Sequence, residues 1–413
     1  MHMPLWKRNL FVVWFGCFAT TAGMSLVVPF LPLYIAELGV KSTAAVEQWS
    51  GVAFGATFFL AAIVAPIWGR MADTYGRKVM LLRASLGMAI IMTLMGFVQN
   101  VWELVGLRLL MGGVSGYISA AITLVATQAP QEKSGWAMGT LNTGTVGGSL
   151  LGPLFGGLLA DALGLRHVFF VTGAFMFIAF LVTVLFVKET FVRPTAEERS
   201  HAPKLTRREV FAQLSNPRTV WAMFVTTFIL QLAVMSINPI VTVYVQQLSP
   251  HSRHIALLAG AVVAAAGLAN VIAAPTIGKL ADKFGQQRVL LICLTASAIA
   301  FIPQAFVGNA WELLVLRFIL GLFMAGLLPS VNSLVRRLVP DDIAGRMFGY
   351  NQSAQYLGNL CGPLLGGQLA AGFGIANVFF VTAALLFVNA VWVWFNLGNA
   401  HLPQLRSLRH SQK

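Results

Sequence analysis

Of 413 residues, 57% are hydrophobic and 10% are charged, where a soluble chain carries about 25% charged residues. That balance excludes a water-soluble enzyme and leaves no room for a large soluble domain between the apolar blocks. The net charge of +14 does not indicate nucleic-acid binding, because the basic residues follow the loops on one side of those blocks.

Taken in chain order, the apolar blocks predict helices over residues 10–36, 51–72, 79–99, 103–126, 136–160, 166–187, 219–246, 256–281, 288–308, 312–334, 345–371 and 376–397. Each can cross a ~30 Å hydrocarbon core, and they are called spans 1 to 12 here. The expected fold class is an all-α integral membrane protein of twelve transmembrane helices in two six-helix pseudo-symmetric bundles. The first bundle is expected over residues 1–187 and the second, with a short tail, over 219–413. Between them the charged, Pro-containing stretch 188–218 reads as a linker. Lys7 and Arg8 run straight into span 1 with no small-residue cleavage pattern, so no cleaved signal peptide is expected.

Of the 28 Lys and Arg, 23 fall on the side of the N-terminus, the linker and the C-terminus. Lys41, Arg166 and Arg253 fall opposite, and Arg108 and Arg317 fall within spans. The expected topology therefore has both termini and the linker in the cytoplasm. Cys17, Cys293 and Cys361 all lie within spans and suggest no disulfide.

Span 1 holds Gly23 and then Pro29 and Pro32, and span 7 offers Asn238-Pro239 at the corresponding place. Both read as bent helices. Between spans 2 and 3 runs Gly69-Arg70-Met71-Ala72-Asp73-Thr74-Tyr75-Gly76-Arg77-Lys78. Gly76 permits a tight turn, and Arg77 and Lys78 anchor it at the cytoplasmic surface. Asp73 needs a partner at such a rim. A helix N-terminus and a nearby Arg such as Arg346 are both available, and a solvated acid is the alternative. The stretch returns 209 residues later as Gly278 to Gly285, with Asp282 in register with Asp73.

In span 4, Arg108 is a charge inside the hydrocarbon, preceded by Glu103. Such residues face a cavity or a partner, or else snorkel to the interface. Arg317 and Glu312 repeat the pattern in span 10. Span 5 carries Gly139, Gly148, Gly152-Pro153 and Gly156-Gly157, and span 11 carries Gly349, Gly358, Gly362-Pro363 and Gly366-Gly367. Small residues four apart let membrane helices approach closely. Asn100 to Leu104 returns as Asn309 to Leu313, and Val168 to Thr172 as Val378 to Thr382. Two halves of six helices each, in the same orientation, follow.

These residues carry a resemblance. The Gly69–Lys78 loop, Leu107-Arg108 with Gly112 and Gly116, the Gly139–Gly157 pattern and Gly23–Pro32 together resemble the major facilitator superfamily, and within it the twelve-helix drug:proton antiporters. The resemblance covers the whole chain. It implies a secondary transporter in the bacterial inner membrane. It would work by alternating access and export amphiphilic or apolar drug-like compounds against protons. Gly69, Asp73, Gly76, Arg77, Lys78, Asp282, Arg346, Gly148, Gly152, Pro153 and Gly156 would then serve gating. Two departures stand out: span 1 has no Asp or Glu, and the glycine pattern of span 5 is also complete in span 11.

A central site is expected from polar and adaptable residues at mid-span. Gln352, Gln355, Tyr356 and Asn359 recur at i, i+3, i+4 and i+7 and share one face of span 11. Gln231, Asn238, Asn270, Asn332, Asn142 and Tyr117 are further polar candidates, with Phe54, Phe58 and Met24 as apolar walls. Each lone Asn equally suits an interhelical hydrogen bond. No acid sits at mid-span, so the candidates for proton coupling are Glu103 with Arg108, Asp161, Glu37 and Glu312. Glu103 reads equally well as a helix cap. A sugar or organic-anion importer and a lipid translocase are the alternative functions. No nucleophile–base pair, metal-ligand spacing or phosphate loop stands out, so no enzyme, metal or cofactor is expected. The expected partners are the bilayer, small molecules and protons, with no nucleic acid, and the chain is expected to act as a monomer.

Overall fold

The computed structural model describes residues 4–130, 133–189, 214, 216–340 and 343–398. Within these ranges the side chains of residues 70, 73, 74, 134, 135, 344–346 and 398 lie outside the description, as does most of the expected linker. The described residues are helical with no strand. Among the described residues, eleven helices are long and apolar enough to cross a membrane. Span 11, Ala344–Phe373, completes twelve; Asn351, Gln352, Gln355 and Asn359 dilute its apolar character.

Four spans are broken, in repeat-related pairs. Span 1 is Leu5–Leu26 and then Leu31–Glu37; span 7 is Pro217–Met235 and then Val241–Leu248. Pro29 and Pro239 lie in these breaks, where a missing N–H interrupts the helical ladder. Span 4 is Val101–Val114 and Tyr117–Gln128, interrupted at Gly116 with φ +120°. Span 10 is Ala310–Met324 and Leu327–Leu338. The other helices run Thr43–Tyr75, Arg77–Met95, Ser134–Leu163, Leu165–Phe186, Ile255–Phe284, Gln286–Phe301 and Ile375–Gly398. Span 9 ends in a 3₁₀ turn, Ile302–Phe306.

The repeat in the text is a repeat in space. Gly76 and Gly285, at φ +91° and +94°, turn spans 2 and 8 into spans 3 and 9; a side chain resists that left-handed conformation. Tyr34 donates to the Met95 carbonyl at 2.8 Å and packs its ring 4.9 Å from Phe169. Tyr244 donates to the Gln304 carbonyl at 2.9 Å with its ring 5.4 Å from Phe379. The glycine rows act twice in the same way. Gly148, Gly152 and Gly156 seat span 5 on span 1: added Cβ atoms would meet the carbonyls of Phe18, Ala22 and Leu26. Gly358, Gly362 and Gly366 seat span 11 on span 7, against Phe228, Leu232 and Ser236.

We call the face bearing Gly76 and Gly285 the motif face. On the opposite face the two halves close together. A Cβ on Gly51 would strike the Pro363 carbonyl, and one on Gly260, its partner in the repeat, would strike the Pro153 carbonyl. Gly367 lies against the Glu47 carbonyl and Gly157 against that of Ala256. Gln48 donates to Gln368 at 3.3 Å, and Thr242 to the Pro29 carbonyl at 2.8 Å. At the motif-face ends of the same four spans, a Cβ on Gly69, Gly139, Gly278 or Gly349 would meet nothing within 4 Å.

Candidate functional site

Closure on one face and separation on the other leave a space between the halves. A cavity of about 480 Å³ is walled by spans 1 to 4 and span 11. Met24, Phe58, Tyr117, Gln352 and Tyr356, all expected from the sequence, line it. It continues toward the motif face as a chamber of about 280 Å³ that shares Ala61, Ser115 and Tyr356 and adds Trp68, Arg77 and Arg83. Among the described residues, no carboxylate lines either part.

The polar lining of the larger cavity is hydroxyl and amide. Gln352 donates to Gln355 at 3.2 Å, which joins two members of the span 11 stripe. The Thr21 and Thr57 hydroxyls line the cavity buried and without a hydrogen-bond partner, and the Asn359 carbonyl oxygen is also unpartnered. Such groups are costly to leave unmet and are the ones a substrate or water can satisfy. The threonines escaped sequence reasoning because a helical Thr can bond its own preceding turn. Thr20 does so, donating to the Gly16 carbonyl at 2.8 Å. Only the fold shows which threonine is left over.

Several expected residues, Tyr117 of the lining among them, are tied into the scaffold. Tyr117 is 1% exposed and its hydroxyl lies 3.0 Å from that of Thr183. Asn332 accepts from Asn351 at 3.0 Å, and Asn351 accepts from Thr227 at 2.7 Å, tying spans 10, 11 and 7. Gln231 lies against Gly358, and Asn238 donates to the Met235 sulfur at 3.2 Å within the span 7 break. Phe54 is buried and carries the Arg108 guanidinium 5.1 Å from its ring centre. Asn142 is exposed and Asn270 half-buried, and neither lines the two chambers.

Arg83, not expected as a functional residue, stacks 3.6 Å over the Trp68 ring and donates to the Ser115 carbonyl at 2.9 Å. It thereby braces the break in span 4 from inside the chamber. At the motif turn, Glu189 accepts from the backbone N–H groups of Arg77 at 2.9 Å and Lys78 at 2.7 Å. A carboxylate there answers the unsatisfied donors that open span 3. Asp282 accepts from Gln286 at 3.3 Å. Asp73 lies on the last turn of span 2 and Arg346 on the first turn of span 11, but their side chains lie outside those described.

The expected coupling acids are engaged as caps and surface pairs. Glu103 accepts from Gln99 N–H at 2.9 Å and from the Asn100 side chain at 2.6 Å, while Asn100 accepts from Glu103 N–H at 3.0 Å. This is a reciprocal capping box, so the expected pairing of Glu103 with Arg108 does not form. Glu312 repeats the box with Gly308 and Asn309. Asp161 accepts from Leu257 N–H at 3.0 Å, reaching from span 5 to the start of span 8, with His254 at 3.8 Å. Glu37 meets Arg166 at 3.3 Å in an exposed pair. Arg108 and Arg317 are 2% and 8% exposed, and each keeps an unpartnered Nε.

Two repeated six-helix sets, closed on one face around a cavity, define a membrane transporter. The chain belongs to the Major Facilitator Superfamily, whose sequence profile it matches over residues 13–256 and 223–411. It is 48% identical over 391 residues to "Multidrug resistance protein MdtG" of Proteus mirabilis, covering 95% of this chain and 96% of that one. It is 48% identical over 397 residues to the protein of the same name in Salmonella schwarzengrund, covering 96% and 97%. Among solved structures, the inward-facing, occupied form of a bacterial homologue of the human lysosomal transporter Spinster superposes with a TM-score of 0.76 at 14% identity, covering 97% of this chain and 98% of that one. The human organic anion transporter MFSD10 superposes at 0.69 with 17% identity, covering 95% and 100%.

Proposed function

We propose that this protein exports drug-like amphiphilic or apolar compounds across the bacterial inner membrane by alternating access, in exchange for protons. The motif face is cytoplasmic, which agrees with the 23 basic residues on that side, and the structure is then the inward-facing state. The observation that carries this reading is the four-way contrast between glycines. Gly51, Gly157, Gly260 and Gly367 are in backbone contact across the halves, while Gly69, Gly139, Gly278 and Gly349 on the same spans meet nothing. A rocking motion about the cavity would exchange these two sets. The relatives at 48% identity over nearly the whole chain bear the name of multidrug resistance proteins. The lining of Thr, Gln, Met, Phe and Tyr, without a carboxylate among the described residues, suits varied apolar and amphiphilic guests. The two six-helix bundles, residues 1–187 and 219–413, flank the cavity, and one chain carries the whole of it, so the monomer is the working unit. The test is efflux of a fluorescent hydrophobic dye from proteoliposomes with and without an imposed pH gradient. Gradient-driven movement supports the reading. Movement that ignores the gradient removes proton exchange from it, and no movement removes export.

A further inference from the structure

Among the described residues, the acids at the rims of the spans are all engaged except one. Glu103 and Glu312 close capping boxes, Asp161 caps span 8, Glu37 meets Arg166 and Glu189 caps span 3. Glu47 is 3% exposed, and its carboxyl makes no hydrogen bond or ion pair among the described residues. It sits in the second turn of span 2, where its backbone carbonyl abuts Gly367 of span 11. Gly51, one turn on, abuts the Pro363 carbonyl. The residue therefore lies within the closed contact. The repeat-related contact in the other half joins Gly157 to Ala256, and Ala256 stands 209 residues after Glu47. The two closing contacts are alike in backbone, but the acid at the second, Asp161, is held by the Leu257 N–H, whereas Glu47 is not held.

No neighbour compensates a charge there. Glu47 is the only charged residue of span 2 from Thr43 to Gly69. The outer half of span 11, from residue 357 to 373, holds Cys361 as its only titratable group, with Tyr350 and Tyr356 further toward the motif face. Span 4 brings Glu103, held in its own cap, and Arg108, stacked over Phe54 two turns further in. The second segment of span 1 brings Glu37, paired with Arg166, and Tyr34, which donates to Met95. Span 3 brings Arg77, Lys78 and Arg83 only at the motif-face end. A carboxylate withdrawn from water without a partner costs far more than the neutral acid.

We propose that Glu47 is a proton-binding latch of the outer gate: the contact between spans 2 and 11 closes with the Glu47 carboxyl neutral and opens with it ionised and hydrated. The proton comes from water on the outer face as the gate closes and returns to that water as it opens. Glu47 thus adds no net proton to the exchange, and it makes closure easier when the outer face is acidic. This rests on the alternating-access reading above.

The test places spin labels on Lys41→Cys and Gly372→Cys in a Cys-free background in nanodiscs and reads their separation between about pH 5 and pH 8. In the parent the longer distance should gain population as pH rises. In Glu47→Gln the closed distance should persist across the range, while Glu47→Asp should restore the dependence. A Glu47→Gln profile that follows the parent, or a parent with no pH dependence, overturns the latch. An infrared band of a protonated carboxyl that is present in the parent at the pH of closure and shifted in Glu47→Asp gives a second reading should Glu47→Gln fail to fold; absence of such a band also overturns the latch. Dye efflux by the parent separates the two ideas. A parent that exports under a pH gradient while its outer gate ignores pH keeps the transporter and loses the latch, whereas loss of gradient-driven export faults the transporter reading itself.

Discussion

At the scale of the residue, position on a helix decides what an acid does. Glu103 is three residues after Asn100, and that spacing makes a capping box, with two backbone donors answered at the start of span 4. Glu103→Gln should therefore leave dye efflux responsive to a pH gradient in proteoliposomes. Asn100→Ala should lower the melting temperature, through a loss of about 1 kcal/mol. A Glu103→Gln protein whose efflux ignores the gradient would return this residue to the coupling machinery. A single methyl should matter more at the gate. Gly51→Ala sets a Cβ against the Pro363 carbonyl, and overpacking of this kind costs about 1–3 kcal/mol. The closed outer face should lose at least fivefold in population, read as the distance between the outer ends of spans 2 and 11. Gly260→Ala should do the same through Pro153, whereas Gly69→Ala, with open space around it, should not disturb this state.

At the scale of the element, span 11 carries two chemistries on one helix. Gln352 and Tyr356 face the cavity, while Asn351 is 2% exposed and bonded to Thr227 and Asn332. With the native cysteines replaced, Gln352→Cys should react with a polar thiol reagent and be protected by substrate. Asn351→Cys should react slowly and should loosen the joint between spans 7, 10 and 11. Equal labelling at both positions would mean that the helix is rotated in the membrane. Span 4 depends on Arg83, which stacks on Trp68 and holds the Ser115 carbonyl at the break. Arg83→Ala removes a charge-assisted hydrogen bond and a stacking contact, each about 1 kcal/mol or more. It should lower thermal stability even without substrate; a protein as stable as the parent would make Arg83 a ligand for substrate alone.

At the scale of the whole molecule, the question is which face is open. The motif turn is in place here, with Glu189 on the N-terminus of span 3, but the halves do not meet at Gly69 or Gly349. Closure of that face by the proposed rocking motion is expected to bring Asp73, at the end of span 2, toward the start of span 11. A helix N-terminus then rewards a carboxylate. Asp73→Asn should shift distances between labelled halves toward the state seen here, by a factor of a few. An unchanged distribution would leave Asp73 a solvated acid.

The sequence by itself determined the class of this protein. Hydrocarbon thickness fixes the length of an apolar helix, charge fixes its flanks, and a 209-residue repeat of Gly76, Asn100 and Arg108 fixes two like halves. These are local or periodic signals, readable without contacts. The glycine rows were legible for the same reason, as close helix approach needs small residues four apart. The breaks at Gly116 and at residues 27–30 and 236–240 were blurred, since a proline marks a bend without saying how many residues leave the helix. Span 2 was expected from residue 51, which put Glu47 in a loop, whereas the helix begins at Thr43 and carries Glu47 into the closed contact. Burial is what the tertiary structure decided. Asn332 and Tyr117 found partners within the scaffold, Thr21 and Thr57 were left without, and one buried acid was left unpartnered where two halves meet. A side chain's type sets which bonds it can make. Which of them remain unmade depends on neighbours hundreds of residues away, and only the assembled fold supplies those.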